Sequence, residues 1–151
     1  MVIRNIRRYS VYCGSGISFR YSGFPTAPKY HNILVMDVTK YARYQYKVNY
    51  MQRDLNKAFT CFKMCGGKIS TGHWESGALC IEKTLKFLQQ ISAAAVAGTT
   101  LDYSTQGEKE CAVNFKQLFE QLCTKSISVG ELFSLLKKYG ELRDREHSTE
   151  I

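Results

Sequence analysis

Acidic residues are nearly absent from the first 68 positions. Only Asp37 and Asp54 stand there against twelve Lys and Arg, a balance of +10, whereas residues 69–151 hold nine basic and eleven acidic residues, a balance of −2. Paired carboxylates for acid–base chemistry are therefore poorly supplied in the first half. Proline is scarce too: Pro25 and Pro28 are the only two, and they mark residues 22–28 as a loop. No apolar run reaches the ~20 residues of a membrane span; the longest weakly polar stretch is residues 91–98. None of signal-peptide length follows residues 1–10, and no Asn-x-Ser/Thr sequon occurs. These absences favour a cytoplasmic or nuclear protein without membrane contact. The six cysteines then read as reduced thiols, metal ligands or small core residues rather than a disulfide framework.

Catalytic signatures are missing as well. Cys13 and Arg20 are separated by six residues, one more than the loop of thiol phosphatases allows. Gly14-x-Gly16 is too short for a dinucleotide loop and opens no helical pattern. A Cys–His hydrolase would need one of the six cysteines beside His31, His73 or His147, and no nucleophile motif singles out a pair. The expectation is a protein that is not an enzyme.

What is present is an ordinary globular composition, 44% hydrophobic and 23% charged, so a folded chain is expected. It reads as one compact domain over 1–151, with a basic, β-rich half (1–68), a helical half (69–146) and a flexible tail (147–151). Tyr9, Val11 and Cys13 alternate with polar residues, as do Ile17, Phe19 and Tyr21 after a Gly-rich turn, which is a hairpin pattern. Residues 32–38 suit a short buried strand, and residues 41–50 alternate with Tyr44, Tyr46, Val48 and Tyr50 on one face. The period then lengthens: Met51, Leu55, Phe59 and Phe62 mark a helix closed by Gly66 and Gly67. Ala78, Ile81, Leu85, Leu88 and Ala95 give a second stripe, ending at Gly98. Thr105-x-x-Glu108 and Ser128-x-x-Glu131 are capping boxes, each followed by an apolar stripe. The predicted fold class is α+β: an N-terminal antiparallel sheet of three or four strands, then a bundle of about three amphipathic helices.

Two constellations carry chemistry. Cys61, Cys65, His73 and Cys80 follow the spacing C-x3-C-x7-H-x6-C. Cys3His is a standard structural zinc set, and such an ion would clamp the two halves together. Cysteine is also among the most buried residue types, so the same positions also read as core thiols. The second constellation is the basic, tyrosine-rich surface: Arg7, Arg8, Arg20, Arg43, Tyr44, Tyr46, Lys47, Tyr50 and Arg53. Aromatic faces in a cationic groove hold single-stranded nucleic acid by stacking, although a half-buried strand with solvated cations gives the same pattern. The expected function is non-enzymatic binding of RNA or DNA, with RNA preferred and a homodimer through the C-terminal helices allowed. The alternative is an adaptor or viral accessory factor, such as a suppressor of host RNA-based defence, docking on a host or acidic protein.

Overall fold

The computed structural model describes residues 1–14, 16–39, 42–74 and 81–148, with side chains given up to Arg143. Contacts between Cα atoms divide the chain into two compact units, Met1–Val35 and Met36–Ile151.

The first unit is built of two antiparallel strand pairs. β1 (Val2–Arg8) runs against β4 (Lys29–Leu34), and β2 (Val11–Cys13) against β3 (Arg20–Gly23). The β1–β4 register slips between Ile3 and Ile6, where Asn5 takes φ 56° and its N–H reaches Asn32 Oδ1 at 3.1 Å. This is a β-bulge held by a side-chain amide. Aromatic and cationic side chains meet locally: Arg7 lies 4.9 Å from the Tyr9 ring centroid and Arg8 5.3 Å from that of Tyr12. No described residue of this unit is fully buried.

The second unit carries the core. α1 (Val48–Cys65) buries Met51, Asp54, Ala58, Cys61 and Phe62, steps of three and four that put them on one stripe. It stops at Gly66, whose positive φ of 64° suits glycine and whose N–H is donated to the Phe62 carbonyl at 3.2 Å. α2 (Lys83–Ala97) packs on α1 and buries ten residues around most of its circumference, Lys86, Gln89 and Gln90 among them. Between them runs β5 (Lys68–Thr71), paired in parallel with β6 (Thr100–Tyr103). α3 (Lys109–Thr124) and α4 (Val129–Ser148) follow, and Phe87, Leu88, Phe115 and Leu132 form the cluster that joins α2, α3 and α4.

The polar centre of this unit is an ion pair. Lys86 Nζ lies 2.6 Å from Asp54 Oδ2, with side chains 0% and 2% exposed. Gln89 Oε1 accepts a second hydrogen bond from Lys86 at 2.7 Å, Thr39 reaches Asp54 through its hydroxyl, and Arg53 Nη1 touches Asp54 at 3.1 Å. Burial lowers the Lys86 pKa, and the Asp54 charge pulls it back up. Trp74, the one tryptophan, lies with its ring centroid 5.0 Å from Lys86 Nζ and donates Nε1–H to the Met36 carbonyl at 3.2 Å.

The α+β class stands, with four corrections. Among the described residues the strands form three two-stranded pairs instead of one sheet of three or four. Of the strand expected over 41–50, the described residues 42–50 form none: Ala42–Tyr44 is a 3-10 turn and α1 starts at Val48. There the stripe of an 18-residue helix outweighs a short period-2 run. The strand expected over 32–38 lies earlier, at Lys29–Leu34, and exposes Ile33. β5 and β6 have no forerunner in the sequence pattern. Ala78, Cys80 and residues 149–151 of the tail lie outside the described residues.

Candidate functional site

Parallel strands present their C-terminal ends on one side, together with the N-termini of the helices that follow, and that side is where such folds place ligands. Thr71 and Tyr103 are partners at the ends of β5 and β6. Gly72 lies so close to the neighbouring strand that a Cβ there would stand 2.9 Å from the Ser104 carbonyl oxygen. Its own carbonyl accepts from Gln90 Nε2 at 3.1 Å, and Trp74 is tied to Met36. His73 is thus fixed from both flanks.

His73 is 6% exposed at its side chain. Its Nδ1 lies 3.3 Å from the Tyr103 hydroxyl, and its ring stands edge-on to those of Tyr103 and Phe115. Its Nε2 is buried without a hydrogen-bond partner, and Glu108 Oε2 is 3.8 Å away. An unsatisfied buried polar atom costs about 1–3 kcal/mol. Glu108 precedes α3 and is exposed; Lys83, at the start of α2, reaches both its oxygens at 2.6 Å. That bond, the Lys83 charge and His73 hold the Glu108 carboxyl below its ordinary range. Cys111 sits in the first turn of α3, half-buried, and burial and the Glu108 charge push its thiol up. Ligand atoms of His73, Glu108 and Cys111 all lie within 4.8 Å of one another. Burial, and then Cys111, raise the Tyr103 phenol well above its usual range.

Beside this cluster an apolar groove of about 650 Å³ opens between α2, β6 and α3. Phe87 and Phe115, stacked with centroids 4.3 Å apart, line it together with Ile91, Ala112, Phe119 and the cation Lys116.

The expected site residues are distributed over both units. Arg7, Arg8 and Arg20 belong to the first unit, where Arg8 Nε donates to the Ser10 carbonyl at 2.8 Å. In the second unit the tyrosines do not share a face. Tyr44 stacks on Tyr50 at 5.4 Å with Arg43 over its ring. Tyr46 donates to Glu82 and packs edge-on against Tyr139 at 5.1 Å. Lys47 sits at the start of α1, and Arg53 is engaged by Asp37 and Asp54. Of the C-x3-C-x7-H-x6-C positions, Cys61 is buried on the α1 stripe and Cys65 ends that helix. Among the described residues His73 gathers with Glu108 and Cys111, not with these two, and Cys80 lies outside them. Glu108 and Cys111 were visible only as part of a cap and a stripe. No local spacing links them to His73.

Ionisable side chains thus stand at the ends of the parallel strands of an α+β protein, next to an apolar groove. The family model described as poly(ADP-ribose) glycohydrolase (PARG), macro domain fold, matches residues 1–113, and the chain belongs to this family. It is similar to poly(ADP-ribose) glycohydrolase 1 of Caenorhabditis elegans, 37% identical over 93 residues, which are 58% of this chain and 12% of that protein. Poly(ADP-ribose) glycohydrolase 2 of the same organism is 27% identical over 95 residues, 60% of this chain and 20% of that protein. The chain thus matches no more than a fifth of the length of either relative.

This membership overturns several expectations. A family of glycohydrolases replaces the non-enzymatic nucleic-acid binder, with RNA or DNA as partner, and also the adaptor and viral suppressor alternatives. The basic charge of the first 68 residues does not identify a nucleic acid, because charge reports association and not chemistry.

Proposed function

We propose that this chain acts in the hydrolysis of poly(ADP-ribose). The observation that carries the reading is the family match over residues 1–113; the two relatives are named for that activity. The groove supports it in kind. Its volume of about 650 Å³ is in the range of small-molecule sites, and its aromatic and aliphatic walls suit the flat base of a nucleotide. Lys83 and Lys116, one at the cluster and one on the groove wall, offer charge to phosphates.

The test uses the full chain with poly(ADP-ribose) and with free ADP-ribose. Shortening of the polymer with release of ADP-ribose is the expected outcome, with calorimetric binding of ADP-ribose that Ala112→Trp, which fills the groove, weakens by tenfold or more. A chain that neither shortens the polymer nor binds ADP-ribose at millimolar concentration sinks the reading.

A further inference from the structure

Three side chains of different ligand chemistry meet at the ends of β5 and β6: an imidazole, a carboxylate and a thiol, with all ligand atoms within 4.8 Å. A tetrahedral ion with bonds of about 2.0–2.3 Å brings its ligands to within roughly 3–4 Å of one another, so small side-chain movements close the set. The imidazole is already prepared. His73 is 6% exposed and held by its neighbours, and its Nε2 is buried without a hydrogen-bond partner. A metal-bound histidine commonly donates its other ring N–H to an oxygen; His73 Nδ1 has the Tyr103 hydroxyl at 3.3 Å for this. The carboxylate is aligned by Lys83, whose ammonium lies 2.6 Å from each of its oxygens. Two lone pairs on each oxygen allow it to serve a second cation.

We propose that His73 Nε2, a Glu108 carboxylate oxygen and the Cys111 thiolate bind one borderline divalent ion of the zinc–cobalt class, with its fourth position taken by water or a phosphate oxygen. The set shares only His73 with the C-x3-C-x7-H-x6-C spacing. Mixed nitrogen, oxygen and sulfur ligands select against hard cations such as Mg²⁺. Binding releases the thiol proton to solvent. Lys83 is the built-in opponent: its ammonium sits 2.6 Å from the same oxygens and repels the ion. The inference stands apart from polymer hydrolysis and uses a different readout, so either can fail alone.

Titration of the chelator-treated full chain with Co²⁺ tests it by absorbance. One equivalent is expected to produce a near-ultraviolet thiolate-to-cobalt band, which an equivalent of Zn²⁺ then bleaches. Cys111→Ser abolishes the band while leaving the far-ultraviolet circular dichroism intact, and His73→Gln weakens binding at least tenfold. Lys83→Met moves the other way, tightening Co²⁺ by roughly tenfold, because a like charge a few ångströms off counts even near solvent. No band at one equivalent, a band that survives Cys111→Ser, or no gain in Lys83→Met overturns the proposal.

Discussion

Lys86 and Asp54 show what a single pair of residues can demand of its surroundings. A buried ion pair repays its desolvation only when its remaining hydrogen-bonding capacity is met. Here Gln89, Thr39 and Arg53 complete the set, and Trp74 lies against the ammonium. Removing one partner strands the other charge. Asp54→Ala is expected to cost about 3–5 kcal/mol in urea denaturation, a large part of the stability of an ordinary domain. Asp54→Leu with Lys86→Met should cost much less than the sum of the single changes, because no orphan charge remains. None of this is legible in the sequence, where Asp54 is one of two acids in a basic half and Lys86 one cation in an amphipathic stripe. Partners 32 positions apart leave no local trace. The same holds for His73 with Glu108 and Cys111.

At the level of elements, two similar capping motifs take different paths. Ser128 and Glu131 form the reciprocal box: the Glu131 N–H reaches Ser128 Oγ at 3.2 Å and the Ser128 N–H reaches Glu131 Oε2 at 2.8 Å. Thr105 and Glu108 do not; α3 starts without a side-chain cap bond, and Glu108 serves Lys83 and faces His73 instead. Ser128→Ala should therefore cost about 1 kcal/mol, and Thr105→Ala close to nothing, in paired thermal melts. Helices α1, α3 and α4 were readable because burial repeats at their own period. β5 and β6 were not, being four residues each and defined by pairing across α2. Residues 41–50 misled for the opposite reason: their alternation is real, but the chain turns at Ala42–Tyr44 before any partner strand meets it.

For the whole molecule the dominant quantity is charge. A formal +8 points to a polyanion without naming one, and poly(ADP-ribose), with two phosphates per repeat, is such a polymer. On the proposed function, affinity for long polymer should fall steeply as salt rises, since released counterions drive that part of binding. Affinity for a single ADP-ribose unit in the apolar groove should change far less. Filter binding across a salt series compares the two; equal slopes would place recognition outside the groove. The family itself was beyond sequence periodicity, because the family model matches across residues 1–113.

Trp74 gives the molecule a built-in optical reporter. It is the single indole of the chain, nine-tenths buried, with a cation near its ring, and it directly follows His73. Intrinsic emission excited at the red edge of the tyrosine band therefore comes from one address. A red shift signals that the Lys86 centre has opened to water. Quenching without a shift signals a change next door at His73, so one cuvette separates loss of the core from occupation of the site.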